Sequence, residues 1–523
     1  MPAIISDQFR IMNAETFVKS LVSVGNTNNN YYVFIGQPNS SSPQAGGSET
    51  WSSNVPPPLD SFDEENSIKE TIIAMRKVSG LDIRRVVRKI NWEPGKIYEM
   101  YKHDYTVYNL SPVTNVASLY NSNYYVINDD LRVYICLQNG TNPENRRGRP
   151  SIDKPEFVDL EPRPAGTSGD GYVWKYLYTI KPAEIIKFDS IEYVPVPDNW
   201  GEEGESISIK NNAIDGKIDA INILDRGTNY GPINDPVFTN IPILGDGTGG
   251  TATITIDSFG KVSDIFITDG GSGYTKGYIN FTPGYPGIPT RLSNNGTIAQ
   301  FEVIIPPKGG HGYDIYRELG ANKVLIYSRF ETNSSDPDII LGNDFARVGI
   351  LKNPTVAGSN FEPLVKSQVS GLNSLKLTGS ATTLTTYAVD SEIRQTIGTG
   401  ITAIGYVASW DSITGVLKYY QPVGLATVGV NYNIVDFSPS TLSGGSLTIS
   451  GAVSGSNLSI DTGFSGVSTV INNRTYQLGS NFISGISSAE FNKKSGEIIY
   501  IDNRVPIPRS ASQKEDIKIV LEF

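Results

Sequence analysis

The feature that most constrains the fold is an internal repeat in the middle of the chain. Residues 216–230 match residues 260–274, and the offset of 44 residues from Gly216 to Gly260 recurs at every matched position. Each copy reads as a strand that ends in a glycine-rich turn closed by a tyrosine. Two copies are too few for a solenoid. We therefore predict one compact β domain over residues 205–305.

A second segment differs from the rest of the chain in composition. Gly, Ser and Thr dominate residues 355–485, and charged residues are sparse there. A flexible linker would share this composition, but apolar residues alternate with polar ones in several stretches, which favours an all-β module. Residues 403–410 and 416–420 are predicted to pair as a hairpin across the turn at 411–415.

Two helices are predicted near the N-terminus. The first spans residues 6–25, and the second begins after Asp60 or Ser61 and ends at Gly80. The predicted buried faces are Phe9, Met12, Phe17, Leu21 and Val24 in the first helix, and Ile68, Ile72, Met75 and Val78 in the second.

Beyond residue 83 the pattern is strand-like, and the predicted fold class is α+β, predominantly β and multi-domain. A chain of 523 residues is too long for one core, and 52 glycines and 31 prolines divide it into many short segments. Residues 124–127 and 131–137 are predicted to form a hairpin. The last strand shows the alternation of a mostly buried strand, with Ile517 and Ile519 on one side.

Charge and hydropathy argue against several classes of function. The net charge of -11 argues against nucleic acid as the main partner, because phosphate neutralisation needs a basic face. We expect no secretion signal and no membrane span, since the chain shows no run of about 18 apolar residues. The single cysteine excludes an intrachain disulfide and is typical of a protein folded in reducing cytosol.

No residue is selected as catalytic, cofactor-binding or metal-ligating. The two histidines, His103 and His311, lack partners at zinc-ligand spacing. Cys136 is predicted to be a small core residue rather than a nucleophile. The run Gly309-Gly310-His311-Gly312 is similar to an oxyanion loop, but no Gly-x-Ser-x-Gly elbow accompanies it, so a plain loop is favoured.

Three further features leave alternatives open. The run 245–250 lacks the residues of a phosphate or calcium loop and is interpreted as a turn. Asp336 and Asp338 could ligate a hard cation, but a solvated turn is favoured. The basic group in the loop 146–149 is interpreted as a solvated loop or protein contact, with an anion site as the alternative. Its members are Arg146, Arg147 and Arg149.

An aromatic row and the many acidic residues raise the question of an enzyme or a sugar platform. Trp174 alternates with tyrosines, and the row is predicted to be core or subunit-interface packing rather than a sugar platform. Its tyrosines are Tyr172, Tyr176 and Tyr178. A carboxylate pair for glycoside hydrolysis could exist among 54 acids, but nothing selects one.

Three separated blocks carry distinctive motifs in collinear order. They are residues 9–197, with motifs at 51–54, 84–92, 169–177 and 193–197; residues 343–354; and residues 495–523. Together they resemble a baseplate wedge subunit of T-even-type contractile-tailed bacteriophages. The clearest motif is Gly-Asp-Gly-Tyr-Val-Trp-Lys-Tyr-Leu at 169–177.

The resemblance implies a homodimer with an α/β sandwich and β domains, located in the tail baseplate of the virion and assembled in the host cytoplasm. It implies contacts with other wedge subunits in the plate that triggers sheath contraction, and no enzymatic activity or cofactor. Residues 1–204, 306–354 and 486–523 would form the wedge core, with 205–305 and 355–485 as inserted β modules. The residues at each interface are not assigned.

A different class of function is the alternative hypothesis. A tail-associated adhesin would bind host surface glycans through its β modules, and the Gly/Ser/Thr-rich segment 355–485 is the predicted contact. A wall-degrading glycosidase is a third, weaker hypothesis.

Overall fold

The computed structural model of the protein describes most of the chain. The described residues are 5–22, 29–37, 51, 54–231, 237–285, 288, 290–291, 295–331, 345–378, 387–422, 434–451, 457–506 and 513–523. Strands hold 39% of the residues and helices 11%. The predicted α+β, predominantly β class is therefore confirmed.

The helices are few and short. They are α1 (Asp7–Val22), α2 (Phe62–Glu70), α3 (Pro182–Phe188), α4 (Glu205–Asn212) and α5 (Ile315–Glu318), with 3₁₀ turns at Gly80–Asp82 and Leu119–Asn121.

Strands make up most of the regular structure. Up to residue 303 they are β1 (Tyr31–Gly36), β2 (Ile72–Lys77), β3 (Ile83–Arg88), β4 (Tyr125–Ile127), β5 (Arg132–Asn139), β6 (Tyr172–Thr179), β7 (Tyr193–Pro195), β8 (Ile221–Asp225), β9 (Tyr230–Gly231), β10 (Val237–Pro242), β11 (Leu244–Gly245), β12 (Thr251–Ile256), β13 (Val262–Asp269), β14 (Gly277–Tyr278), β15 (Thr290–Arg291) and β16 (Gln300–Val303). The later strands are β17 (Lys323–Phe330), β18 (Arg347–Lys352), β19 (Gln368–Ser370), β20 (Asn373–Lys376), β21 (Glu392–Gly398), β22 (Ile401–Asp411), β23 (Val416–Tyr420), β24 (Thr448–Gly451), β25 (Asn457–Ser459), β26 (Gly466–Ile471), β27 (Arg474–Phe482), β28 (Ile486–Ser487), β29 (Glu497–Asn503) and β30 (Glu515–Glu522).

The chain divides into two compact units. Met1–Val18, Arg84–Leu325 and Val520–Phe523 form the first unit, and Lys19–Ile83 with Ile326–Ile519 forms the second. This division is coarser than the predicted wedge core with two inserted modules, whose boundaries stay a prediction.

The first unit contains a three-stranded antiparallel sheet of order β4-β5-β6. Tyr125 pairs with Ile135 and Ile127 with Val133, which confirms the predicted hairpin. The strands are rich in β-branched and aromatic residues, which suit a pleated, buried surface. Most side chains of this sheet lie in one hydrophobic cluster around the fully buried Trp174.

The repeat region has a hydrophobic cluster of its own, formed by residues between Ile218 and Val303. Its sheets are β10-β12-β13 and the pairs β8-β16, β11-β14 and β9-β15. The two copies of the repeat are bonded to each other reciprocally. Tyr230 N donates to the carbonyl of Gly260 at 3.0 Å, and Tyr274 N donates to that of Gly216 at 3.3 Å.

The glycines at this junction are required for steric reasons. Gly216 and Gly260 have φ of 67° and 72°, where a side chain is strained. A Cβ on Gly216 would lie 2.2 Å from Tyr274 N, and one on Gly260 would lie 2.9 Å from Tyr230 O. The repeat in the sequence thus reflects a pseudo-twofold contact, in which the glycine of each copy seats the tyrosine of the other.

The second unit contains two large sheets, of order β19-β2-β1-β18-β29 and β25-β24-β21-β22-β23-β20-β28. The predicted hairpin of residues 403–420 is confirmed, since β22 pairs with β23 in antiparallel register. Within residues 355–485, the described part is a packed β structure with its own buried cluster around Leu375 and Leu417. The linker interpretation of that segment is therefore wrong.

The second predicted helix is wrong beyond residue 70. Ser61 caps α2 as predicted, with its side chain accepting from Glu64 N, but the helix ends at Glu70. The next residues form β2 between β1 and β19, and Ile72 to Met75 are all fully buried. A central strand buried on both faces has a continuous apolar run, which helical periodicity cannot distinguish from one helix face.

The first predicted helix is confirmed over Asp7–Val22, but its predicted buried face is wrong. Phe9 and Met12 are about half exposed, whereas Ile11 and Ala14 are buried. Residues 23–25, including the predicted end of the helix, lie outside the described residues. The apolar face was misplaced because the helix carries apolar residues on two sides, and only the tertiary contact selects one of them.

Candidate assembly surfaces

The structure places the sequence-selected cysteine in the interior. Cys136 lies on β5 and is fully buried, and its thiol donates a weak hydrogen bond to the carbonyl of Gln138. Burial raises the pKa of the thiol well above its ordinary value. An inert core residue follows, because nucleophilic attack needs the thiolate and access to it.

The aromatic row on β6 is also core. Tyr172, Trp174, Tyr176 and Tyr178 are all buried, and the rings of Tyr172 and Trp174 stack with centroids 5.3 Å apart. A sugar platform must present a ring face to solvent, so that alternative is wrong for this row.

Polar groups of the loop Gly309–Gly312 form hydrogen bonds within the protein. His311 Nδ1 lies 2.6 Å from Glu318 Oε1, and Gly312 N donates to Glu318 Oε2 at 2.7 Å. Both side chains are buried. The amide that an oxyanion would need is bound by a carboxylate, so the pair anchors the loop as a structural contact.

The glycine-rich run 245–250 has an equally structural explanation. The Asp246 carboxylate accepts from Thr275 N at 3.0 Å, from the Thr275 hydroxyl, and from Lys276 N at 3.1 Å. These bonds hold the pKa of Asp246 well below its ordinary value, chiefly through the Thr275 hydroxyl. The run therefore closes a turn by capping residues 275–276.

The remaining sequence candidates are not brought together. Arg146, Arg147 and Arg149 are exposed. Asp336 and Asp338 lie outside the described residues. Within the part of the chain that the structure describes, no cluster of three or more His, Cys, Asp or Glu side chains is arranged to hold a metal ion.

Four turns of the described chain share a geometry that exposes a large apolar side chain. In each, a Thr, Asp or Ser side chain accepts a hydrogen bond from the amide two residues later, and that later residue is the exposed one. The capping and exposed pairs are Thr106 with Tyr108, Asp257 with Phe259, Ser359 with Phe361, and Asp411 with Ile413. We call these four exposed residues the turn anchors.

The turn anchors are far more exposed than apolar residues usually are. The exposed fractions are 97% for Tyr108, 80% for Phe259, 93% for Phe361 and 48% for Ile413. Tyr108 and Phe259 belong to the first compact unit, and the other two belong to the second. Aromatic side chains contribute much of the binding free energy at protein interfaces. A turn whose backbone is already fixed also loses little conformational entropy when it binds.

The Tyr108 turn is held by several hydrogen bonds. Thr106 and Asn109 exchange backbone hydrogen bonds of 3.0 and 3.1 Å across it. The Asn109 amide side chain donates to the carboxylate of Asp104 at 3.0 Å. Val107, beside Tyr108 at the tip, is also exposed. The tip therefore presents two exposed apolar side chains on a hydrogen-bonded backbone, at a place where polar residues are usual.

A second feature lies in the interior and brings together the three separated blocks of the sequence. Arg347 on β18 is fully buried, and its guanidinium meets residues from far along the chain. Nη2 lies 2.7 Å from Glu64 Oε1, and Nε donates to Asn503 Oδ1 at 3.2 Å. Its Cζ lies 5.2 Å from the ring centroid of Trp51.

The strands carrying these blocks are neighbours in one sheet. Strand β18 pairs with β1 on one side and with β29 on the other. Burial lowers the pKa of Arg347 to about 10, although the Glu64 carboxylate opposes this shift. A buried cation of this kind is tolerated only where carboxylate and amide oxygens are fixed around it.

Sequence reasoning missed both features, although each leaves a trace. A capping residue followed two positions later by an aromatic one can be found in the sequence, but exposure of the ring depends on the surrounding fold. Arg347 directly precedes the apolar run Val348 to Leu351, which is a signal for a paired buried charge.

Comparisons with known proteins add no identification. No model of a protein family matches the sequence, and no curated protein matches it significantly.

Among the described helices, none is both long enough and apolar enough to cross a membrane.

Proposed function

We propose that the protein is a structural subunit of a phage tail baseplate wedge, which dimerises and joins other wedge subunits in the plate that triggers sheath contraction. The observation that carries the proposal is the meeting of the three sequence blocks around Arg347. Trp51, Arg347 and Asn503 come one from each block. Segments that resemble one family and also pack together support a shared structural core.

The turn anchors support a function in assembly. A subunit of a large plate needs several separate contacts, and the anchors are spread over both compact units. Each exposed ring can fill an apolar cavity on a neighbour and exclude water from its rim. Obligate interfaces bury on the order of 2,000–5,000 Å², and a closed symmetric contact suits a dimer.

The proposed mechanism is mechanical. Buried contacts hold each subunit as a rigid part, and the contraction signal passes as a rearrangement at the interfaces between subunits. In this proposal the protein is located in the virion baseplate, after assembly in the host cytoplasm.

Native mass spectrometry tests the proposal. The purified chain is measured alone and then mixed with candidate wedge neighbours from the same tail. We expect a dimer and stable complexes with those neighbours. A chain that stays monomeric, ignores the other tail proteins and turns over a substrate would contradict the proposal.

A further inference from the structure

A cleft of about 920 Å³ lies in the first compact unit, between the repeat region and the loops that flank β5 and β6. Its volume falls in the range of small-ligand sites. The geometry points to a binding site for an oligosaccharide in this cleft, centred on Phe266. The adhesin hypothesis named the segment 355–485 as the predicted contact, whereas this cleft lies beside the other β module, at residues 205–305.

The cleft follows the line along which the two copies of the repeat meet. Two hydrogen bonds join the segments around β8 and β13, one beyond each end of β8: Ile218 N donates to the carbonyl of Gly270, and Val262 N donates to that of Arg226, each at 2.9 Å. Between these points the strands belong to different sheets, β8 pairing with β16 and β13 with β12. Their facing sides therefore line a shallow space instead of forming a ladder.

An extended peptide does not fit between these strands. A strand inserted there would need β8 and β13 to lie about 10 Å apart, twice the ordinary spacing. The two hydrogen-bonded ends prevent such a separation. Arg226 also occupies part of the strand edge, because Nη1 donates to the carbonyls of Val262 and Ser263, each at 2.8 Å. These contacts are typical of an edge protected against strand addition.

The walls of the cleft are fixed to each other. Lys217 Nζ lies 2.9 Å from Glu161 Oε2, and the Arg226 guanidinium binds the carboxylate of Glu144. Gln138 Nε2 donates to the carbonyl of Ile221 at 3.2 Å. A site held open in this way loses little entropy when a ligand enters.

The lining selects the chemistry of the ligand. Phe266 is 56% exposed and offers an apolar surface on which the C–H face of a sugar ring can stack. The charged lining is balanced, with four cations and four carboxylates, so neither an anion nor a cation is favoured overall. The cations are Arg149, Arg163, Lys217 and Arg226, and the carboxylates are Glu161, Asp170, Asp219 and Asp264.

A lining with both cationic and anionic side chains suits a ligand rich in hydroxyl groups, because each hydroxyl group can both donate and accept a hydrogen bond. An apolar floor with a few convergent polar groups is the usual form of a small-ligand site. A neutral or zwitterionic oligosaccharide combines these two requirements, whereas a strongly charged ligand meets repulsion from half of the lining.

The full-length protein is tested on an array that carries neutral and acidic oligosaccharides together with control peptides. The variants are Phe266→Ala, Phe266→Tyr and the matched control Tyr278→Ala, which removes a similarly exposed ring of the same repeat region outside the cleft. Circular dichroism checks that each variant is folded. Hits are then titrated by isothermal calorimetry with the free oligosaccharide.

We expect neutral oligosaccharides to bind the native chain. We also expect Phe266→Ala to weaken binding by about tenfold or more, while Phe266→Tyr and Tyr278→Ala bind normally. Binding of only peptides or acidic glycans, no glycan binding at millimolar concentration, or unchanged binding by folded Phe266→Ala would overturn the inference. None of these results bears on wedge assembly, which native mass spectrometry measures separately.

Discussion

Tyr230 and Tyr274 lie at equivalent positions in the two copies of the repeat, and each is buried with its hydroxyl bonded twice to distant backbone. The Tyr230 hydroxyl donates to the carbonyl of Phe281 at 3.1 Å and accepts from Ala299 N at 2.8 Å. The Tyr274 hydroxyl likewise accepts from Gly250 N, at 3.2 Å. The two copies of the repeat therefore correspond in the buried hydrogen bonds of their tyrosine hydroxyl groups as well as in their backbone path.

Tyr230→Phe and Tyr274→Phe should lower the stability of the repeat region by similar amounts. Each removes a hydroxyl and leaves a buried amide and carbonyl without that partner, at a cost of about 1–3 kcal/mol. Amide hydrogen exchange should show faster exchange at Ala299 in the first variant and at Gly250 in the second. Each variant is the control for the other, and unchanged exchange at both amides would contradict the assignment.

Arg347→Ala should destabilise the second compact unit by about 3–5 kcal/mol, because it leaves the Glu64 carboxylate without its buried cation. Urea unfolding followed by intrinsic tryptophan fluorescence measures the loss. Arg347→Lys should fall in between, since an ammonium keeps the charge but not the planar fork. If Arg347→Ala were as stable as the native protein, the guanidinium would not organise this core.

Asp246 predicts a pH dependence of stability. Its folded pKa is depressed below the ordinary value of 3.8. Its stabilising contribution is therefore present above that value and is lost as the pH falls towards the folded pKa. Asp246→Asn should be less stable than the native protein at pH 7, and its stability should fall less steeply below pH 4.

Thermal unfolding monitored by circular dichroism between about pH 2 and pH 7 measures this difference. The carboxylate is held by hydroxyl and amide donors, so the difference should persist at about 1 M salt, where exposed ion pairs are screened. Disappearance of the difference at high salt would indicate that charge pairing, rather than these hydrogen bonds, stabilises Asp246.

Tyr108→Ser should leave the fold intact and weaken complexes with wedge neighbours. The side chain is almost fully exposed and contributes little to folding, whereas an interface anchor typically costs about 2 kcal/mol or more on truncation. Native mass spectrometry of the same mixtures measures the loss. Tyr108→Phe, which keeps the apolar ring, should assemble normally, and equal assembly by Tyr108→Ser would remove this turn from the proposed interface.

Cys136 should resist alkylation by iodoacetamide in the native protein and react after unfolding in urea. Burial and a raised thiol pKa both suppress the reactive thiolate. Mass spectrometry of the alkylated peptide gives the extent of reaction. Rapid labelling under native conditions would show that β5 opens readily.

The sequence alone was sufficient where local signals decide the backbone. Matched glycines such as Gly227 and Gly271 predict a turn at the end of each repeat strand, and alternating apolar residues predict the hairpin of residues 403–420. The short range of these interactions makes them readable in a linear pattern. The β-rich class and the helix beginning after Ser61 follow in the same way.

Tertiary structure decided the rest, because the deciding contacts join residues far apart in the chain. Ile72 begins a strand because that segment pairs with β1 and β19 at its two edges and is buried on both faces, which periodicity could not reveal. Tertiary contacts likewise expose Phe9 and bury Arg347 beside Trp51. The cleft beside Phe266 exists only because the two copies of the repeat bond at their ends and separate between them.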